Sequence, residues 1–205
     1  LIFTAGTLVR KSVYPVLRKR DQRVIDFNTR VNYDTGRVSG FRGHLRGDQH
    51  YLSADLTKAT DGFGHGAIRA VLRGMGKAGL SPAWLDLAAH SLGVRSEKHF
   101  VRYKKSSFTE RDWTEILNLP HRLMSEDGRS VSIPMERGCL MGTPLSFTIL
   151  SLINGWCCDV LGPLTAICGD DVLSVTRPRQ VGAYACRVRS VGSGLHEKKS
   201  FFGKK

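Results

Sequence analysis

Acidic residues are scarce in this chain. Its 205 residues include 18 aspartates and glutamates against 31 lysines and arginines, which gives a net charge of +13 at pH 7. Such an excess of positive charge indicates a polyanionic partner, with nucleic acid ahead of an anionic membrane surface. The charge by itself does not choose between these two partners.

The cysteines lack the patterns of a disulfide framework or a zinc site. They are odd in number, show no C-x-x-C spacing and are not accompanied by paired histidines, and the five are Cys139, Cys157, Cys158, Cys168 and Cys186. Spacing of this kind favours reduced core thiols in a cytosol-like compartment.

No secretory signal, internal repeat or low-complexity stretch is present. The most apolar run, residues 145–168, is interrupted by Asn154, Asp159 and a Gly162-Pro163 break, so it predicts a helix, a turn and a strand instead of a membrane span. A hydrophobic fraction of 41% is typical of a globular domain. Because the chain begins at Leu1 and ends at Lys205 without a polar tail, we expect a piece of a longer polypeptide.

Two short apolar runs flank Gly169-Asp170-Asp171. The runs favour β-strands, and the residues between them predict a tight hairpin with a carboxylate pair at its tip. Adjacent acids between apolar strands repel each other and need a cation nearby. A divalent metal ion is the simplest candidate.

Asp55 offers a third carboxylate. In an extended segment it shares one face with Ser53, while Ala54 lies on the other face and packs. Magnesium is usually held by one or two carboxylates together with waters and substrate phosphates. The residues therefore predict that Asp55, Asp170 and Asp171 form a two-metal site for nucleotidyl transfer on RNA.

A second glycine-rich segment, residues 137–146, precedes an apolar helical run. Gly138 and Gly142 allow backbone conformations that bring the chain close to a ligand, and Pro144 suits the first residue of a helix. Such a loop can contact a primer or template backbone and an incoming sugar. Alternatively, it merely joins a strand to a helix.

Other segments predict ordinary secondary structure. Helices are expected over residues 62–79, 81–92 and 178–192, although glycines weaken the first one, and a lysine-bearing strand is expected over 195–202. His65 and His90 are interpreted as packing or surface residues. The basic residues of 1–31 predict either a surface helix or a basic surface that binds phosphate. The basic residues of 98–105 predict a strand, which either faces solvent or lines a channel for single-stranded nucleic acid.

In this order the segments resemble the palm region of a viral RNA-dependent RNA polymerase, in particular that of the narnavirus, ourmia-like virus and levivirus group. Residues 53–61 resemble palm motif A, and residues 137–146 with Asn154 resemble motif B. Residues 168–171 resemble motif C, and residues 197–202 resemble the end of motif D. The resemblance covers residues 50 to 205.

The resemblance implies roles for the acids and for a lysine. Asp55 and Asp170 would bridge two Mg²⁺ ions, or Mn²⁺ in their place, and Asp171 would support the second ion. Lys199, or Lys198 beside it, would donate a proton to the pyrophosphate that leaves.

The resemblance also implies a set of residues that contact the nucleotide and its sugar: Asp61, Gly142, Thr143, Ser146 and Asn154. Asp61 would accept hydrogen bonds from the ribose hydroxyls, by which a site tells RNA from DNA. Many related polymerases carry the sugar-reading asparagine about eight positions after the motif B glycine, where this chain has Leu150. Asn154 lies about one helical turn further on, and Ser146 and Thr143 are its alternatives.

The implied fold is α+β: a polymerase palm with an antiparallel sheet backed by helices, plus part of the fingers. Residues 1–50 would belong to the fingers and residues 51–205 to the palm, with a fingers insertion at about 80–130 and no thumb. The implied partners are template RNA, the nascent RNA strand, nucleoside triphosphates and other polymerase segments. The implied location is the host cytoplasm or mitochondrion.

Two rival functions are weighed against this resemblance. A reverse transcriptase usually carries an aromatic residue before the paired aspartates, where this chain has Cys168-Gly169. It also carries an aromatic gate after the motif A aspartate, where this chain has Thr60-Asp61. A basic RNA-binding or scaffold protein without chemistry would have no use for the three acids.

Overall fold

A four-stranded antiparallel sheet lies at the centre of the fold. The computed structural model describes residues 45–95, 98–143 and 145–204. In chain order its elements are β1 (His50–Ala54), β2 (Leu56–Thr57), α1 (Ala59–Gly62), α2 (His65–Lys77), α3 (Pro82–Ser91), β3 (Phe100–Lys104), α4 (Glu110–Leu117), β4 (Leu123–Met124), β5 (Ser130–Pro134), α5 (Ser146–Cys158), β6 (Thr165–Cys168), β7 (Asp171–Thr176), α6 (Pro178–Ser190), β8 (Gly194–Leu195) and β9 (Phe201–Gly203). The central sheet has the strand order β6-β7-β1-β9.

One face of this sheet is buried and the other is open. Leu52 and Ala54 of β1 and Val172 of β7 are buried, and they join apolar residues of α5 and α6 in the main core. Ser53, between the two buried residues of β1, is exposed. The alternation that the sequence predicts for this strand is therefore confirmed, and so is the α+β class with an antiparallel sheet backed by helices.

Helix α2 runs without a break from His65 to Lys77. Its internal glycines weaken the sequence prediction of a single helix, yet Ile68, Leu72 and Met75 form one buried stripe along it. Burial of such a stripe stabilises the helix by more than each glycine costs, which is about 1 kcal/mol relative to alanine. The other two predicted helices are confirmed as α3 and α6.

A smaller antiparallel sheet, β3-β5-β4, lies within residues 100–134. Its own core consists of Trp113 and Ile116 from α4 and Val131 from β5. The predicted strand in the basic stretch is confirmed, because β3 alternates with Phe100, Arg102 and Lys104 exposed. Strands β3 and β4 lie inside the stretch of about 80–130 assigned to the fingers insertion, and β5 begins at its end; the assignment stays a prediction.

The single strand expected over residues 195–202 is wrong. Leu195 pairs with Leu56 in the two-stranded sheet of β2 and β8, whereas Phe201 pairs with Ser53 in the central sheet. The chain turns between these strands, because the amides of Lys199 and Ser200 both donate to the carbonyl of His196. The lysines therefore lie in a turn and not on a strand.

Several predictions fall outside the described residues. These are the basic helix or basic surface of residues 1–31, most of the fingers segment of residues 1–50 and the place of Pro144. Within the described ranges, no helix is long and apolar enough to cross a membrane. All five cysteines lie in those ranges: Cys139, Cys157 and Cys158 are buried as the prediction of core thiols requires, whereas Cys168 is half-buried and Cys186 is exposed.

Candidate active site

Asp55 follows the last residue of β1, at the point where the strand leaves the central sheet. Strands β1 and β7 pair with Ala54 opposite Val172. One step further along the same register, Asp55 comes opposite Asp171. The antiparallel pairing thus brings the motif A acid to the motif C hairpin.

Lys199 approaches Asp55 from the other side. Strands β1 and β9 pair with Ser53 opposite Phe201, and Lys199 lies in the turn that leads into β9. Lys199 Nζ lies 3.1 Å from Asp55 Oδ2. The backbone of Asp55 is held by the same turn, since its amide donates to Ser200 Oγ at 3.3 Å and its carbonyl accepts from the His196 amide at 2.8 Å.

Gly169 and Asp170 form the two-residue loop of the hairpin between β6 and β7. Gly169 has a φ of +63°, whereas Asp170 does not have a positive φ. This combination matches a type II′ turn, which suits the twist of the flanking strands and favours glycine first. The predicted tight hairpin with Asp170 at its tip is confirmed.

The carboxyls at this tip resist ionisation. The pKa of Asp170 is raised mainly by burial, and then by the charges of Asp171 and Asp55 and by a hydrogen bond with the Asp55 carboxyl. Burial and the charge of Asp55 also raise the pKa of Asp171, while Lys199 lowers it. The charge of Asp55 is among the causes that raise the pKa of Asp170, so the two carboxyls lie close together, and a cation beside them would offset their repulsion.

Among the described residues, no three His, Cys, Asp or Glu side chains are grouped so that they could hold a metal ion. The charges of Asp55 and Asp171 both raise the pKa of Asp170, so the three acids lie near one another, and Asp171 is exposed. Two carboxylates are a common protein contribution to a Mg²⁺ site, in which waters and phosphates supply the other ligands. The donor chemistry of Asp55 and Asp170 therefore fits Mg²⁺.

Asp61 is exposed on α1 and lies against the motif B loop. The loop is held there by backbone hydrogen bonds, from Gly138 to the Phe63 carbonyl at 2.6 Å and from Cys139 to the Thr60 carbonyl at 3.0 Å. The contact is so close that a Cβ on Gly138 would lie 2.7 Å from Asp61 Cα. The structure thus brings the predicted sugar-binding acid to the glycine-rich loop.

The remaining residues predicted to contact nucleotide differ in accessibility. Gly142 has a φ of +87° and open space where a Cβ would be. Thr143 Oγ1 donates to the Leu140 carbonyl at 3.0 Å. Ser146 is buried and donates to the Thr143 carbonyl at 2.8 Å, so it fixes the entry into α5. Their contacts with a sugar stay predictions.

Asn154 lies in the interior, where it is fully buried. Its Nδ2 donates to the Gly169 carbonyl at 2.8 Å and to the Asp170 carbonyl at 3.3 Å. In this structure the side chain that the resemblance assigns to sugar contact is bonded to the hairpin tip. The sequence predicts that Asn154 belongs to the site, but it does not predict its hydrogen bonds to the hairpin.

Two other residues at the site carried no functional signal in the sequence. Tyr184 lies in the apolar stripe of α6, and its hydroxyl donates to Asn154 Oδ1 at 3.1 Å. His65 Nε2 lies 3.0 Å from the Gly138 carbonyl, so the buried imidazole supports the motif B loop. Helical periodicity places both side chains inside the fold, but it does not identify the polar group that each one meets.

In a comparison with known sequences, the chain is 28% identical over 163 residues to the RNA-directed RNA polymerase of Saccharomyces 23S RNA narnavirus. The match covers 72% of this chain but only 15% of that polymerase. No family model matches the chain.

Solved structures that overlap the chain include two yeast telomerases. The structure of Candida albicans telomerase with a fragment of telomeric RNA has a TM-score of 0.47 and 11% identity, and the overlap covers 98% of this chain and 35% of that one. Apo telomerase of Candida tropicalis, truncated from the C-terminal domain, has a TM-score of 0.48 and 10% identity, with 97% and 40% covered. The sequence match to the narnavirus enzyme confirms the expectation from the motifs: the chain resembles a viral RNA-directed RNA polymerase of the narnavirus kind.

Proposed function

We propose that this chain is the palm part of a viral RNA-dependent RNA polymerase, a nucleotidyltransferase that copies RNA from nucleoside triphosphates and replicates a viral genome. The observation that carries the proposal is the pairing of β1 with β7, which brings Asp55 to the hairpin that carries Asp170 and Asp171, although these acids come from distant motifs. A scaffold protein would gain nothing from neighbouring acids that make Asp170 harder to ionise, whereas a site that recruits cations would.

Asp55 and Asp170 would hold Mg²⁺ ions, with Asp171 beside them. The bound ions would lower the pKa of the primer 3′-hydroxyl and stabilise the leaving pyrophosphate in an in-line displacement. Lys199, whose Nζ lies 3.1 Å from Asp55 Oδ2, would protonate that pyrophosphate. Asp61, exposed next to the motif B loop, would accept hydrogen bonds from the ribose hydroxyls.

Template and nascent RNA are the proposed polyanionic partners. The overall charge supports RNA binding, and so does one face of β3, because its side chains Phe100, Arg102 and Lys104 are all exposed. Aromatic side chains stack on bases, and cations follow the phosphate backbone. RNA affinity should therefore fall steeply with salt, by about 0.7 log units per phosphate contact for each log unit of salt for a single strand. An affinity that does not change with salt would rule out this partner.

The rest of the enzyme lies outside this stretch. The chain spans 15% of the length of the narnavirus polymerase that it matches, so fingers and thumb segments, in the same polypeptide or in another subunit, are part of the proposal. We place the enzyme in the host cytoplasm or mitochondrion, where free thiols such as these stay reduced.

The test is nucleotide incorporation by the full-length polymerase on a primed RNA template with Mg²⁺. We expect ribonucleotides to be incorporated in preference to deoxyribonucleotides. A preference for deoxyribonucleotides would contradict the proposal and indicate a reverse transcriptase. RNA binding without any incorporation would contradict it and indicate a binding or scaffold protein.

A further inference from the structure

The amide of Asn154 bonds to both residues of the hairpin loop. Its two N–H groups donate to the carbonyls of Gly169 and Asp170 at 2.8 and 3.3 Å. Those carbonyls belong to the turn whose second residue carries the Asp170 carboxyl. A shift of the turn would therefore break hydrogen bonds in a fully buried environment, where unpaired polar groups are costly.

The oxygen of the same amide is also fully used. Asn154 Oδ1 accepts from the Tyr184 hydroxyl at 3.1 Å and from Cys158 Sγ at 3.7 Å. An asparagine side chain offers two donors and two acceptor positions, and here each has a partner. The reversed amide would place its oxygen against two carbonyl oxygens, so the network fixes the orientation of the group.

The hydroxyl of Tyr184 stays protonated and remains a hydrogen-bond donor in this network. It is fully buried on α6, and burial raises the pKa of its hydroxyl above the ordinary value. The hydroxyl thus stays protonated and donates to Asn154. Through these two side chains, α5 and α6 are both tied to the tip of the hairpin.

We propose that Asn154 and Tyr184 are positioning residues: they hold the hairpin tip so that the Asp170 carboxyl stays beside Asp55, and Asn154 does not read the sugar. The inference rests on the proposed function, because it concerns the same acids. A sugar-reading amide must face the substrate, whereas this one is buried and bonded to protein on all sides. Discrimination between ribose and deoxyribose then falls to Asp61, which is exposed.

The first test is amide hydrogen exchange, which needs no catalysis. The variants are Asn154→Leu, which removes every hydrogen bond of the amide at similar volume, and Tyr184→Phe, which removes one. Gln180→Leu is the control, because Gln180 ties α6 to the Val160 carbonyl at 2.9 Å without contacting the turn. For Asn154→Leu we expect exchange at the tip of β6 and β7 to become at least about tenfold faster, because the carbonyls of Gly169 and Asp170 both lose their donor.

Tyr184→Phe should accelerate exchange at the same amides by a smaller factor, and Gln180→Leu should leave them unchanged. Since Tyr184→Phe keeps the packing volume, it decides the question even if Asn154→Leu does not fold. Unchanged exchange at the tip, or an equal acceleration of all core amides, would overturn the proposal.

The second test is kinetic and uses the full-length polymerase. Asn154→Leu and Tyr184→Phe should lower kcat while the preference for ribonucleotides over deoxyribonucleotides stays as in the wild type. A loss of that preference in Asn154→Leu would overturn the proposal in favour of sugar reading. If the wild-type enzyme incorporates no nucleotide, the proposed function fails, whereas the exchange experiment still decides whether Asn154 holds the hairpin.

Discussion

Lys199 Nζ lies 3.1 Å from Asp55 Oδ2, at the edge of the open face of the central sheet. The lysine side chain is 66% exposed and the aspartate only 15%, so the cation reaches a half-enclosed carboxylate from the solvent side. The turn between β8 and β9 determines this approach, because the His196 amide bonds to the Asp55 carbonyl and the Lys199 amide bonds to the His196 carbonyl. Lys199, which we propose as the proton donor, thus lies beside Asp55.

Replacing Lys199 by methionine should lower the rate of nucleotide incorporation. General acid catalysis typically contributes about 10² to 10⁴ in rate, and the loss should fall in this range. The measurement is the single-turnover rate with the full-length enzyme. Lys198→Met is the matched control, because Lys198 occupies the same turn but makes no ion pair with any residue that the structure describes. Equal losses in the two variants would contradict the role of Lys199.

Asp61→Ala should reduce the preference for ribonucleotides over deoxyribonucleotides. The exposed carboxylate next to the motif B loop is the group proposed to accept from the ribose hydroxyls. The measurement is the ratio of kcat/KM for the two nucleotides. Asp86→Ala, a change of an exposed aspartate on α3 that pairs with Arg95, is the control and should leave the ratio unchanged. Unchanged discrimination in Asp61→Ala would count against the sugar contact.

Gly138→Ala should destabilise the protein more than Gly142→Ala does. Both glycines have positive φ, +74° and +87°, and a left-handed conformation costs an L-residue about 1 to 2 kcal/mol. Only at Gly138 would the new Cβ also lie 2.7 Å from the Asp61 backbone, and such overpacking adds about 1 to 3 kcal/mol. Urea unfolding of the two variants measures the difference, and equal stabilities would show that the loop does not pack on Asp61 as described.

Stability should decline in mild acid because of His65. Burial is the largest effect on its pKa and lowers it, while the hydrogen bond to Gly138 opposes the shift. The folded state thus favours the neutral imidazole, so this contribution is complete above the unfolded pKa of about 6.5 and is lost as the pH falls towards the lowered value.

Unfolding free energies of wild type and His65→Gln between pH 7.5 and about 5 measure this contribution, and the variant should show the flatter profile. His90→Gln replaces an exposed histidine and should follow the wild type. Parallel profiles for all three proteins would contradict the assignment to His65.

Local patterns were sufficient to predict the faces of β1 and the hairpin that carries Asp170. Period-two alternation and turn chemistry involve neighbouring residues only, so both can be seen in the sequence. The contact of Asn154 with the hairpin tip could not be predicted, because it depends on how α5 packs against β6 and α6. The strand expected over 195–202 was wrong for a related reason: Leu195 and Phe201 satisfy strand patterns in two different sheets.

Asp170→Asn in the full-length polymerase tests the central claim most directly. Because burial and neighbouring charges raise the pKa of Asp170, removal of its charge should leave the melting temperature of the metal-free protein unchanged or higher. RNA affinity should also persist, and Asp86→Asn serves as the control for charge. We predict that Mg²⁺-dependent nucleotide incorporation is abolished in Asp170→Asn and persists in Asp86→Asn. Incorporation by this variant at a near-normal rate would contradict the account.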